Sequence, residues 1–173
     1  MFGLFKPKLA PEGPVEFNFE LEINRPASEV YRLLDWSDEN NAKRATGSII
    51  RPIPGAPGRF DMVWSADSEL LFKFKETLAR PGEAYAFDCE IEPRVGKLDR
   101  SVEEYRLTPT SPESCKVELI NTVTFVERLT MKQFQREIAT MAHACQQSLV
   151  KLKIQAEHGT EIAAELEGKV LAA

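Results

Sequence analysis

The longest uninterrupted helical pattern in the chain runs from Thr130 to about Glu157, and any fold must find a surface for it. Met131, Phe134, Ile138, Met141, Cys145, Leu149 and Leu152 recur at steps of three and four. At about 100° per residue they form one apolar stripe. Thr130 and Gln133 have the spacing of a capping box, in which hydroxyl and amide each satisfy a backbone group of the first turn. No proline interrupts the run, and Gly159 ends it. A helix of that length is about 42 Å long, enough to cross a whole sheet, so the remaining chain is expected to supply strands.

Val15, Phe17, Phe19, Leu21 and Ile23 alternate with Glu16, Asn18, Glu20 and Glu22, the pattern of a strand with one dry and one wet face. Pro26 then suits a helix start, and Val30, Leu33 and Leu34 supply the buried side of a short helix over 26–34. A second short helix is expected within 38–45. From Thr46 the period changes to two. Strands are predicted over 47–53, 59–65, 69–79, 84–91, 98–108 and 114–126, separated by turn-forming segments such as Pro54-Gly55-Ala56-Pro57-Gly58 and Pro81-Gly82. Strands joined in this way form an antiparallel meander, so the fold class is α+β, with a sheet of about seven strands.

Size and charge narrow the functional classes. The 173 residues suffice for one domain, expected over 15–157, with an irregular proline-containing arm over 1–14 and a tail over 158–173 that has helical propensity. A net charge of −5 with scattered Lys and Arg gives no basic face for nucleic acid. No run of about 20 apolar residues is present to span a bilayer, and the N-terminus lacks the apolar core of a signal peptide. Cys89, Cys115 and Cys145 are far apart and odd in number, and are expected to be reduced buried thiols of a cytoplasmic protein. Of two histidines, His143 lies on the helix face opposite the apolar stripe and His158 at the helix end. Neither a histidine-based catalytic arrangement nor a histidine-ligated metal is expected, and no cofactor is implied.

The segment Phe17-Asn18-Phe19-Glu20-Leu21-Glu22-Ile23-Asn24-Arg25-Pro26-Ala27-Ser28-Glu29-Val30-Tyr31-Arg32-Leu33-Leu34-Asp35, the glycine turn at Gly55–Gly58 and the closing helix resemble the START-like helix-grip superfamily (SRPBCC) over roughly 15–157. That group includes polyketide cyclases and dehydrases, pollen-allergen-like ligand carriers, coenzyme-Q-binding proteins and lipid-transfer domains. The resemblance implies a curved sheet wrapped around the long helix with a cavity between them. It is specific for fold and weak for function, since no catalytic motif is shared across the superfamily.

Alternation places Phe17, Phe19, Leu21, Phe60, Met62, Trp64, Leu70, Phe72, Phe74, Tyr85, Phe87, Cys89, Val117, Leu119, Val123 and Phe125 inward. The same pattern would serve a filled core; with the resemblance it describes a pocket for an apolar or aromatic ligand. Glu76 and Asn121 fall on inward positions, unless a bulge turns Glu76 out. Strand 98–108 has conflicting parities that a bulge near Glu103 would reconcile, which places Tyr105 inward and leaves Glu103 unassigned. The candidate ligand-binding residues are therefore Phe60, Met62, Trp64, Phe72, Phe74, Glu76, Tyr85, Phe87, Tyr105, Asn121 and Phe125 on the sheet, and Phe134, Ile138 and Met141 on the helix. Two functions fit: binding or transport of a hydrophobic small molecule such as a lipid, isoprenoid or polycyclic aromatic, or a polyketide cyclase/dehydratase-like reaction in which Glu76 or Tyr85 handles protons. Val150 and Ile154 lie away from the main stripe; Ile162, Leu166 and Val170 of the tail or a second copy in a homodimer would cover them, or they are simply exposed beside a disordered tail.

Overall fold

The computed structural model describes residues 7–65 and 67–171, with side chains described up to Glu165. Phe2, Leu4 and Phe5 of the arm, and the side chains of Leu166 and Val170, lie outside the described residues. In chain order the elements are β1 (Val15–Ile23), α1 (Ala27–Leu34), α2 (Ala42–Ala45), β2 (Ile49–Pro52), β3 (Arg59–Trp64), β4 (Asp67–Arg80), β5 (Ala84–Glu92), β6 (Leu98–Ser111), β7 (Ser114–Phe125), α3 (Met131–His158) and α4 (Thr160–Leu171).

The strands form one antiparallel sheet in the order β1-β7-β6-β5-β4-β3-β2. β2 to β7 make the expected meander, and β1 returns to pair with β7, Val15 opposite Val123 and Ile23 opposite Cys115. The sheet curves around α3, which packs against β1, β7 and α1. Among the described residues no helix is long and apolar enough to cross a membrane.

Two register shifts fix which side chains look inward. In β6 the shift falls between Leu98 and Arg100 rather than near Glu103. One extra residue there puts Leu98, Ser101, Glu103, Tyr105 and Leu107 on one face, which resolves the parity conflict of that strand. In β4 the shift lies just after Glu76, so the bulge does not turn Glu76 outward.

The helix ends follow local chemistry. Pro26 caps α1 from outside, its carbonyl accepting from the amides of Glu29 and Val30 at 3.0 and 3.2 Å. Thr130 and Gln133 form the capping box of α3. At the other end of α3 the Arg25 guanidinium donates to the carbonyls of Ala156 and Glu157 at 2.9 and 3.3 Å, a cation where the helix dipole is negative. Gly159, with φ of 91°, takes the left-handed conformation that turns the chain from α3 into α4.

Of the three tail residues expected to cover Val150 and Ile154, only Ile162 has a described side chain, and it does not do so. Ala163 is buried while Ile162 is 47% exposed, and Val150 remains exposed. Gln155, also buried, donates to the Ala42 carbonyl and the Thr160 hydroxyl, each at 3.4 Å.

Burial along α3 is uneven. Cys145, Leu149 and Leu152 are deeply buried, whereas Met131, Phe134, Ile138 and Met141 are only half-buried. The C-terminal half of the stripe packs into the core with Ile23, Val30, Val117 and Leu119, and the sheet does not close so tightly on the other half.

Candidate functional site

Between the sheet and α3 lies a cavity of about 380 Å³. Its sheet wall comprises Met62 and Trp64 of β3, Leu70, Phe72 and Phe74 of β4, Phe87, Cys89 and Ile91 of β5, Leu98, Ser101, Glu103 and Tyr105 of β6, and Asn121 of β7. The segment of α1, α2 and their linker contributes Leu33, Leu34, Trp36, Asn41, Ala42, Lys43 and Thr46, and Ala163 of α4 closes one end.

The face of α3 turned to the cavity carries Glu137, Thr140, Met141, Ala144, Cys145, Ser148, Lys151, Leu152 and Gln155. Counted at about 100° per residue, this set is centred some ~80° around the helix from the main apolar stripe. Small side chains at Thr140, Ala144 and Ser148 leave the space. Their one-turn spacing is the sequence signal of this face, and apolar periodicity does not register it.

Of the sequence candidates, Met62, Trp64, Phe72, Phe74, Phe87, Tyr105, Asn121 and Met141 line the cavity, and Phe60, Glu76, Tyr85, Phe125, Phe134 and Ile138 do not. Phe125 and Phe134 instead pack edge to face at 6.3 Å, beside a smaller pocket with Ala10, Pro14 and Arg128. Glu76 and Tyr85 are joined to each other: the Tyr85 hydroxyl donates to Glu76 at 3.0 Å and accepts the Trp36 backbone N–H at 3.1 Å. The inward position of Glu76 thus ends in a structural bond to a fully buried tyrosine.

That bond also builds the aromatic wall. Asn41, buried between α1 and α2, donates to the carbonyls of Leu34 and Asp35 and accepts from the amides of Lys43 and Arg44. The linker so fixed lays Trp36 flat on Phe74, ring centres 4.1 Å apart and planes 9° from parallel. Phe87 meets both rings edge to face at 5.2 Å. Trp64 stands over Phe72 at 6.2 Å, with the Lys43 ammonium 5.7 Å from its ring, a cation–π arrangement.

From β6 Glu103 brings a half-buried carboxyl to the cavity wall, and the Tyr105 hydroxyl donates to it at 3.1 Å. Burial raises its pKa, while the Tyr105 hydrogen bond and the Lys43 charge act the other way. Tyr105 is held well above the usual phenol range by burial and by Glu103. Burial and Glu103 push the Cys145 thiol up to about 12, so it is a neutral thiol, with the Asn121 amide at 2.9 Å.

Because folding favours protonated Glu103, its contribution is fully present below the ordinary carboxyl range and is lost as pH rises through the raised folded pKa. Glu103→Gln is therefore expected to be at least as stable as wild type at neutral pH and to lose that relative advantage in acid. Denaturant unfolding of both proteins across pH checks this; a wild type that is the more stable only at neutral pH would contradict it.

No family model matches the chain, and no curated protein matches it in sequence. Solved structures do. Ara h 8.0201 superposes with a TM-score of 0.60 over 93% of this chain and all of its own, at 13% identity. A START superfamily protein from Mycobacterium smegmatis superposes at 0.56, with 10% identity over 81% of this chain and 97% of its own. The Zhui aromatase/cyclase from Streptomyces sp. R1128 also gives 0.56, with 11% identity over 84% and 98%.

Proposed function

From a chain that has the START-like helix-grip fold, we propose that this protein binds a hydrophobic small molecule in the cavity between its sheet and α3. The observation that carries the reading is the cavity itself, about 380 Å³ walled by Trp36, Trp64, Phe72, Phe74 and Phe87. Cavities of about 300 to 1,000 Å³ with apolar walls and a few polar groups are typical of small-ligand sites. This one is at the small end, so its occupant has the size of a few fused rings or a short isoprenoid rather than a two-chain lipid. Proteins of similar fold include Ara h 8.0201 and an aromatase/cyclase, and a cavity of this kind serves carriage or catalysis.

An apolar fluorescent probe should bind the folded protein at micromolar concentration and saturate near one per chain, and native mass spectrometry of the purified protein should show a retained apolar molecule. Absence of both, with the fold intact by circular dichroism, would remove the reading.

Proton chemistry in the cavity is the second reading, favoured by one observation: a carboxyl and a phenol, Glu103 and Tyr105, face the space together. Glu76 and Tyr85 are bonded to each other outside its lining, so in a cyclase/dehydratase-like reaction the roles expected of them pass to Glu103 and Tyr105.

A further inference from the structure

Most of the cavity wall is apolar, but one patch of the sheet is not. Phe87, Glu103 and Asn121 are successive register partners on β5, β6 and β7, and two of the three are polar. The Tyr105 hydroxyl donates to Glu103 at 3.1 Å, and one N–H of the Asn121 amide to the Cys145 sulfur at 2.9 Å. Most of the patch's remaining capacity is to accept. A carboxylate offers about four lone-pair sites and an amide oxygen two. Asn121 is 1% exposed, and its Oδ1 has no hydrogen-bond partner. Buried polar groups are nearly always paired, so the unpartnered Asn121 oxygen and the spare lone pairs of Glu103 beside it, on the wall of an aromatic cavity, call for a bound group that donates. The charge of Lys43, which also lines the cavity, already acts on Glu103, so the missing donor need not be a cation.

We propose that the ligand of this cavity is an apolar ring system bearing a hydroxyl group, seated with that hydroxyl inward on Glu103 and with Asn121 beside it. The proposal rests on the reading of the cavity as a ligand site, and it adds the chemistry and orientation of the occupant.

Three probes of one shape test it: β-naphthol, naphthalene, and the methyl ether of β-naphthol, titrated into the full chain by calorimetry. Transfer out of water alone ranks the naphthol last, because its hydroxyl must leave water. A donor-seeking floor reverses that order, and β-naphthol should bind about tenfold tighter than the ether, the worth of one hydrogen bond to a charged or enclosed acceptor. Glu103→Leu should abolish the preference and Glu103→Gln, which keeps an acceptor, should retain part of it. If Glu103→Leu fails to fold, the wild-type order and the Gln variant decide the matter. Equal or tighter binding of the ether by the wild type, as expected of a floor satisfied by water, overturns this inference and leaves the cavity reading standing. A preference that survives Glu103→Leu also overturns it. If none of the three probes binds, the cavity reading fails and this inference with it.

Discussion

Phe74→Ala is expected to lower the unfolding free energy by about 3 to 5 kcal/mol, and Phe72→Ala, two residues away on the same face, by distinctly less. Phe74 is 5% exposed, stacked on Trp36 at 4.1 Å and edge to face with Phe87 at 5.2 Å. Its removal deletes a buried ring and three aromatic pairs, the third a stack on Phe72 at 6.2 Å, each worth roughly 0.5 to 1.5 kcal/mol beyond area burial. The Trp36 linker is held by its own hydrogen bonds, so it does not collapse into the gap. Phe72 lines the same cavity but is only half-buried, so its truncation removes less buried surface and enlarges a void that is already there. Chemical denaturation with an unchanged m-value measures both. Equal, large losses at the two positions would mean that the space between sheet and helix is filled in solution, and the ligand reading would fall with it.

Tyr85→Phe should cost about 2 to 4 kcal/mol although it removes one oxygen atom. The ring is fully buried, and its hydroxyl is at once the acceptor for the Trp36 backbone N–H and a donor to Glu76. Phenylalanine leaves a buried amide without a partner and a half-buried carboxylate short of a donor. Tyr105→Phe is the matched comparison: it loses a single bond, to Glu103, and should cost less than Tyr85→Phe. Stability of Tyr85→Phe within about 0.5 kcal/mol of wild type would contradict the bridging role. It would also return Tyr85 to the candidates for work on a ligand.

The candidate site was partly legible because strands repeat every two residues. Alternation brought Met62, Trp64, Phe72, Phe74, Phe87 and Asn121 to the cavity wall, since a side chain on an unbroken strand can point only up or down. It failed in β6, where a register shift intervened. The extra residue between Leu98 and Arg100 brings Glu103 into the cavity, and which residue of a strand bulges depends on how its neighbours pair, not on its own pattern. For Glu76 the direction was right and the partner was not visible: Tyr85 is its neighbour only because β4 and β5 pair and Trp36 folds back over them.

On the helix the division is similar. The sequence alone determined that a capped helix of this length exists, that a meander of strands faces it, and that β1 opens the domain, because capping, periodicity and turn chemistry are local. Which side of α3 borders the cavity was decided by the tertiary structure. The apolar stripe is drawn to the core at Cys145, Leu149 and Leu152 by burial, and that docking rotates the smaller face of Thr140, Ala144 and Ser148 toward the open part of the sheet. A cavity is space that packing leaves unfilled, so its position and its polar floor exist only once strands distant in sequence have set their register against one another.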